Sequence, residues 1–424
     1  MTTAEKPRGT PVFRNLVSDP PTSEVEFIGL WKVYFLTLIG AAFRENGVDN
    51  PQAAALLSRL EEAELLKGTP SLQGMLNNAI HYVRRLLSAD SLSASVEFDP
   101  LSGLAKAVTG KITLKEPSSA EVAQGFESVD TLFTFANAGL EAEKLSLWIL
   151  LDRLDVAFAE STELEQNGLR SLFKVYLDLL GYPRLSLKIF IRSDIWRRIT
   201  SQGFREASHI TRHVTLEWKP NELLNLIIRR VLTNAELIKH FLIDSQAVLE
   251  SSANQSHVFY RIFPEKIDMS DKKPPTLDWI ITRCADGTGM AAPREIIHLL
   301  SAAREQQVRK LEHGEAEPPN EWLFIGQAFK DALPQVSKTR FDQTLLAEYP
   351  QYREYLLKLE GKRTQQSIET LADLWLVSHE EAIRIAGLLV ECGFFEARET
   401  KEGKAFWVPF LYRSCLSMVQ GTED

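Results

Sequence analysis

Two mostly apolar runs constrain the fold of this sequence more than any other feature. Residues 145–151 read Leu-Ser-Leu-Trp-Ile-Leu-Leu, and residues 185–191 read Leu-Ser-Leu-Lys-Ile-Phe-Ile. Such runs are typical of strands that are buried on both faces of a parallel sheet. A helical pattern at about 164–180 separates them, which predicts a right-handed parallel crossover. Residues 213–218 are predicted to add a third strand, so the sequence indicates an α/β domain.

Other regions are predicted to be mainly helical. Three helices are expected between about 23 and 87, followed by a two-strand ribbon between 96 and 114 and a helix to about 138. A long helix is predicted at 220–249, then a polar loop at 251–273, and then four helices before residue 360. Residues 365–418 combine two helices with a turn-closed ribbon, which is the outline of a winged helix. A chain of 424 residues is too long for one core, so two or three domains are expected.

Composition and charge favour a cytoplasmic protein that does not coat nucleic acid. The formal net charge is -9, whereas nucleic-acid-coating surfaces are usually basic. The three cysteines have no metal-ligand spacing, which fits a reducing compartment. The most apolar stretch, 27–43, is short for a membrane span and contains Lys32, so we expect a buried helix and no membrane contact.

Asp152 is the strongest candidate for chemistry. It follows the first apolar run directly, where open α/β sheets bind their ligands. In P-loop NTPases an aspartate at this position holds the Mg²⁺ that bridges the β and γ phosphates. Asp155, three residues later, would position or deprotonate the attacking water. The alternative is that Asp152 caps the following helix.

Three segments, in this order and spacing, resemble bacterial P-loop ATPases of the AAA+/STAND type, including the KAP NTPases. Residues 147–155 (Leu-Trp-Ile-Leu-Leu-Asp-Arg-Leu-Asp) resemble a Walker B segment. Residues 190–195 (Phe-Ile-Arg-Ser-Asp-Ile) resemble the end of the sensor 1 strand. Residues 286–296 (Asp-Gly-Thr-Gly-Met-Ala-Ala-Pro-Arg-Glu-Ile) resemble the start of the sensor 2 helix in the lid.

The resemblance implies a fold and three domains. Residues 1–220 would form a three-layer P-loop NTPase sheet with helical and β-ribbon insertions at 23–115. Residues 221–360 would form an all-α lid, and residues 361–424 a C-terminal winged helix.

The resemblance also implies an ATP and Mg²⁺ site. Asp152 would bind the metal and Asp155 would be catalytic, while Arg192 or Ser193 would sense the γ-phosphate. Arg294 would reach the nucleotide from the lid, since the rigid guanidinium fork suits phosphate oxygens. The structural alternatives are an ion pair between Arg192 and Asp194, and a plain exposed position for Arg294.

The sequence departs from this pattern because it contains no Walker A string, Gly-x-x-x-x-Gly-Lys-Ser/Thr. Residues 103–113 hold two glycines, the second followed by Lys111, but the spacing of the glycines is wrong and Ile112 stands in place of the hydroxyl residue. We therefore expect an N-terminally truncated or a degenerate ATPase, in which binding of ATP and Mg²⁺ is impaired or absent. The missing strand would leave a gap in the sheet, which favours a protein partner or self-association.

Three functions follow as hypotheses. The first is an ATP-binding and ATP-hydrolysing regulatory switch, with a role in phage defence implied by the resemblance alone. The second is a non-catalytic interaction module that keeps the fold. The third is a DNA-binding regulator that uses residues 365–418. We do not favour the third, because the second helix of that region is mostly acidic and phosphate contacts need lysine and arginine.

Overall fold

A computed structural model describes residues 2–3, 23–67, 71–91, 112–123, 125–152, 154, 162–201, 203–268, 270–315, 317–400 and 403–422. The chain forms two compact units, Met1–Val214 and Thr215–Asp424. Each unit has its own buried apolar core.

The first unit combines helices with a small parallel sheet. The strands run in the order β1-β4-β5, and β2 pairs in parallel with β3. Its helices are α1 (Glu24–Asn46), α2 (Pro51–Glu62), α3 (Leu72–Ser91), α4 (Ser119–Ala123), α5 (Val129–Ala142), α6 (Thr162–Leu179) and α7 (Ser193–Ser201). Its strands are β1 (Thr2–Thr3), β2 (Ile112–Thr113), β3 (Glu127–Ser128), β4 (Leu147–Leu151) and β5 (Leu185–Ile189).

Helix α1 is the central helix of this unit. Ser23 caps its first turn by accepting a hydrogen bond from the backbone of Glu26, and Gly47 ends it in the left-handed conformation. Trp31 and Phe35 are fully buried and stack with ring centroids 5.8 Å apart. The indole N–H of Trp31 donates to the carbonyl of Gly168 in α6. The aromatic residues of α1 are therefore core residues, as the helical spacing predicts.

Lys32 lies on the same helix and makes two ion pairs. Its ammonium group is 2.9 Å from a carboxylate oxygen of Asp130 and 2.9 Å from one of Asp178. By length and composition alone, α1 could cross a membrane. The most apolar stretch of α1 is 78% buried inside the protein, as expected of a core helix.

The second unit is helical with one mixed sheet. The strand order of that sheet is β7-β8-β6-β9. Its helices are α8 (Pro220–Val231), α9 (Ala235–His240), α10 (Ser245–Leu249), α11 (Ser252–Ile262), α12 (Thr276–Cys284), α13 (Pro293–Glu312), α14 (Gly326–Arg340), α15 (Leu346–Glu348), α16 (Arg353–Leu357), α17 (Ile368–Trp375), α18 (His379–Glu391) and α19 (Phe410–Arg413). Its strands are β6 (Arg363–Gln366), β7 (Glu396–Thr400), β8 (Gly403–Trp407) and β9 (Val419–Thr422).

One apolar core runs through this unit from Leu223 to Leu416. It includes buried residues of α8 and α11 as well as residues of α17, α18 and β8. The two helices and the hairpin expected after residue 365 are present, and β6 and β9 flank them. The division of the chain at residue 360 and the winged-helix fold stay predictions.

Three helix boundaries predicted in this unit are wrong. The helix expected at 220–249 is three helices, because Asn234 and Asp244 each cap a new first turn with their side chains. The loop expected at 251–273 contains α11, which Ser251 caps in the same way. The helix expected from 319 begins at Gly326, since Asn320 and Glu321 have positive φ angles that a right-handed helix excludes.

The helix expected at 339–359 is also broken. A π-helical turn occupies Phe341–Leu345, and a 3-10 turn at Pro350–Tyr352 follows α15. Pro350 is the first residue of the 3-10 turn, a position where the missing backbone N–H of proline costs no helical hydrogen bond.

The ribbon predicted at 96–114 lies mostly outside the described residues, as does a short strand expected at 12–16. Of the ribbon, β2 is described, and its partner is the parallel strand β3.

Candidate functional site

Strands β4 and β5 form the centre of the candidate site. They are parallel and in register, with Leu147 opposite Leu185 and Leu151 opposite Ile189. Both strands therefore end at the same edge of the sheet. Both strands lie within the apolar runs where they were predicted. The prediction that both faces of these strands are buried is wrong.

One face of these strands carries the core, and the other face is open. Ile149 and Leu187 are buried, whereas the alternating residue Trp148 is 48% exposed. The ammonium group of Lys188 lies 5.0 Å from the Trp148 ring centroid, a cation–π contact across the two strands. An apolar run predicts burial but cannot tell which faces will find a covering helix.

Asp152 is exposed and follows β4 directly. Its position agrees with the sequence prediction, because the carboxyl edge of a parallel sheet is where it was expected. Asp155, predicted to act on the attacking water, lies outside the described residues.

Arg192 and Ser193 follow β5 at the same edge. Ser193 is exposed and begins α7, and Arg192 is half-buried. The Arg192 guanidinium donates two hydrogen bonds to the carboxylate of Asp194, at 3.0 Å and 3.2 Å. The ion pair that was the structural alternative for Arg192 is thus formed, and a phosphate would compete with Asp194 for this guanidinium.

The third predicted strand, 213–218, is wrong. The segment 213–218 forms neither a strand nor a helix, and Val214, Leu216 and Trp218 are 83%, 73% and 42% exposed. Its alternating pattern is the pattern of a strand, but a strand also needs a hydrogen-bonded neighbour. Among the described strands, β5 has one neighbour, β4.

Arg294 lies in the second unit, whereas Asp152, Arg192 and Ser193 lie in the first. It is exposed in the first turn of α13, after Pro293. The next residue, Glu295, is buried and forms an ion pair of 3.2 Å with Arg340. This pair orients the start of the helix that carries Arg294.

The turn before α13 has a packing role. The backbone N–H of Gly287 donates a 2.6 Å hydrogen bond to the carbonyl of Gly393, and that of Thr288 donates to the carboxylate of Asp286. A methyl group on Gly287 would lie 2.3 Å from the carbonyl oxygen of Phe395. The glycine is therefore required for the close approach of the turn to the chain between α18 and β7.

Within the described ranges, no group of three or more histidine, cysteine, aspartate or glutamate side chains could hold a metal ion. A single exposed carboxylate does not suffice for a bare cation. It does fit Mg²⁺ that arrives with a nucleotide, since such Mg²⁺ takes one or two protein carboxylates and the phosphates supply other ligands.

Sequence patterns missed a second group of charged residues, in the second unit. Arg283 and Arg413 lie against the ring of Phe410, and Arg398 lies over Trp407. These residues come from α12, α19 and the β7–β8 hairpin. No local motif signals such a cluster, because its members are far apart in the sequence.

No protein family, curated protein or solved structure matches this chain. The geometry at the sheet edge is therefore the basis for the functional proposal.

Proposed function

We propose that the first unit binds magnesium–ATP at the carboxyl edge of β4 and β5, and that the chain acts as a regulatory ATP-dependent switch. The observation that carries this proposal is the register of Leu151 with Ile189, which brings Asp152 and the Arg192–Ser193 pair to one edge. An acidic residue beside a cation and a helix start suits a metal-bound phosphate chain.

Each residue has a distinct role in this proposal. Asp152 would hold Mg²⁺, directly or through water, and would thereby bind the nucleotide only in its magnesium form. Arg192 would pair with phosphate oxygens after leaving Asp194, and the hydroxyl and backbone of Ser193 would donate to the same oxygens. Magnesium supplies charge neutralisation for phosphoryl transfer when it is bound.

The sequence contains no phosphate-binding loop, so we expect weak binding by this chain alone. Hydrolysis would need a phosphate-binding loop, which residues 1–424 do not contain. The proposal therefore assigns nucleotide binding to the described residues, and it does not assign hydrolysis to them.

Binding of a fluorescent ATP analogue, measured by anisotropy with Mg²⁺ and with EDTA, tests the proposal. The native chain should bind more tightly with Mg²⁺, and Asp152→Asn should lose that difference. Asp49→Asn removes an exposed carboxylate elsewhere in the first unit and should behave like the native chain. Equal binding with and without Mg²⁺ in the native chain would show that Asp152 does not hold a nucleotide-bound metal.

A non-catalytic interaction module is the second candidate. The exposed side chains of Val214, Leu216 and Trp218 favour it, because exposed apolar residues that alternate along a segment can be covered by a partner strand. Loss of self-association or partner binding in Leu216→Lys, without any effect of ATP, would support this function over the switch.

A further inference from the structure

Phe410 lies between two arginines in the second unit. The guanidinium carbon of Arg283 is 3.5 Å from the Phe410 ring centroid, and that of Arg413 is 3.9 Å from it. Two guanidinium groups this close to one centroid would overlap on a single face, so they lie on opposite faces of the ring. Stacking uses the flat side of each guanidinium and leaves N–H groups at its edge.

Neither arginine is neutralised by a carboxylate in ion-pair contact within the described part of the chain. Arg413 donates from Nε to the carbonyl of Val408 at 2.8 Å, and Arg283 has a 3.4 Å contact with the hydroxyl of Thr282. Both residues are half-buried, and none of their guanidinium nitrogens is a fully buried atom without a hydrogen-bond partner, so a ligand from solvent can reach the N–H groups that remain.

The neighbouring Arg398, unlike Arg283 and Arg413, has a carboxylate partner. It donates two hydrogen bonds, of 2.7 Å and 2.8 Å, to the carboxylate of Glu396. That carboxylate is thereby already engaged. The cluster as a whole holds three arginines and one paired glutamate, in a protein whose net charge is negative.

The positive charge of this cluster is unfavourable in the absence of an anion. Burial, and then the proximity of Arg283 and Arg398, lower the pKa of Arg413 to about 10. Burial also lowers the pKa of Arg283, against the opposing influence of Asp268. Stacking of each guanidinium on the Phe410 ring compensates in part for this cost.

We propose that Arg283 and Arg413 bind a dianionic phosphate group, as inorganic phosphate or as the monoester of a small molecule. Two guanidinium charges without carboxylate partners match the charge of one dianion, and their planar forks match its oxygens. The edge of the Phe410 ring between them carries the positive end of the ring quadrupole, so an anion there is not repelled. The site lies within the second unit, whereas the proposed nucleotide site lies within the first.

Isothermal titration of the full chain with inorganic phosphate and with phenyl phosphate, at constant ionic strength, tests this site. We expect saturable binding of both, and a loss of about tenfold or more in affinity in Arg283→Gln and in Arg413→Gln, since each variant removes a charge-assisted hydrogen-bond donor. Arg384→Gln is the matched control. Arg384 is an exposed arginine whose guanidinium already binds Glu381 through two hydrogen bonds, so its loss should change nothing.

Three results would overturn the proposal. The first is the absence of saturable binding, and the second is unchanged affinity in Arg283→Gln. The third is preferential binding of a short single-stranded oligonucleotide without terminal phosphates, which would identify a phosphodiester backbone as the ligand. Arg413→Gln also loses the bond to Val408, so circular dichroism melting must show that it is folded. Arg283→Gln keeps that bond and preserves the test if Arg413→Gln unfolds.

Discussion

The backbone N–H of Phe190 donates a 2.9 Å hydrogen bond to the carbonyl oxygen of Leu151. This bond extends the parallel ladder of β4 and β5 by one residue, so the chain leaves both strands at one edge of the sheet. Asp152 is the next residue after Leu151, and Arg192 follows Phe190 by two residues. The arrangement gives this edge an acidic group and a basic group from neighbouring strands, which is the basis of the proposed magnesium–phosphate site.

Asp194→Asn should strengthen nucleotide binding. In the structure Asp194 occupies the guanidinium fork of Arg192, and a phosphate must displace it. A partly exposed ion pair contributes about 0.2–1 kcal/mol, and a phosphate that displaces Asp194 loses this contribution. Without Asp194 that cost is absent, so we expect the affinity for magnesium–ATP to rise by a few-fold at most. Fluorescence anisotropy measures the change. The double variant Arg192→Gln/Asp194→Asn should lose the gain, and a gain that survives in it would exclude Arg192 as the phosphate contact.

Periodicity predicted the elements whose signal is local. The apolar run at 145–151 and the helical spacing of Trp31 and Phe35 are patterns that a short window of sequence contains in full. The segment 213–218 has an equally clear alternation, but its ladder depends on a neighbour that no local pattern reveals. The sequence does carry a signal for the breaks at Asn234 and Asp244, since asparagine and aspartate are favoured at helix N-caps.

The candidate site was predictable only in outline. Asp152 and Arg192 could be assigned to one edge because parallel strands share their carboxyl ends. The capture of Arg192 by Asp194 depends on side-chain rotamers at the start of α7, which sequence spacing does not determine. The cluster around Phe410 was not predictable, because Arg283 reaches it from a helix more than a hundred residues earlier in the chain.

Gly287→Ala should destabilise the second unit. The added methyl group would lie 2.3 Å from the carbonyl oxygen of Phe395, and the 2.6 Å hydrogen bond from Gly287 to Gly393 would have to lengthen. Overpacking against backbone together with a weakened hydrogen bond is expected to lower the free energy of unfolding by about 2–4 kcal/mol. Urea denaturation followed by circular dichroism measures this difference.

Gly387→Ala is the control for that variant. Gly387 lies inside α18, and nothing is within 4 Å of the position that its methyl group would take. Alanine favours helix more than glycine does, so this variant should gain about 0.5–1 kcal/mol. Equal effects of the two substitutions would contradict the role assigned to the turn at Gly287.

Lys32→Met should destabilise the first unit. Lys32 is 11% exposed and pairs with Asp130 and Asp178, which are about half exposed. Burial acts to lower the pKa of Lys32, but the two carboxylates outweigh it and the pKa is raised. Because the lysine pKa is raised in the folded chain, the two ion pairs stabilise the fold fully at a pH below the lysine pKa of the unfolded chain. This stabilisation is lost as the pH rises through the lysine pKa of the folded chain.

We therefore expect Lys32→Met to cost about 1–2 kcal/mol at neutral pH, between the values for exposed and for buried pairs. Thermal melting at neutral and at strongly alkaline pH should show the difference shrinking at the alkaline end. Lys174→Met is a useful comparison, because Lys174 also pairs with two carboxylates, Glu24 and Glu206, but is more exposed. A larger loss in Lys174→Met would contradict the central role of Lys32.

Lys330→Met should make the stability of the second unit less dependent on pH in the acid range. Lys330 lies 2.5 Å from a carboxylate oxygen of Asp268, and this hydrogen bond lowers the pKa of Asp268 below its usual 3.8. Because the carboxyl pKa is lowered in the folded chain, this ion pair stabilises the fold at a pH above the ordinary carboxyl pKa. The stabilisation is lost as the pH falls through the pKa of Asp268 in the folded chain. Because both side chains are partly exposed, the expected loss at neutral pH is about 0.2–1 kcal/mol, and it should shrink at an acid pH below the ordinary carboxyl value of 3.8. Urea denaturation at the two pH values measures it, with Lys338→Met, an exposed lysine on the same helix, as the control. A difference between Lys330→Met and the native chain that is the same at both pH values would mean that Lys330 acts through packing, not through the charge of Asp268.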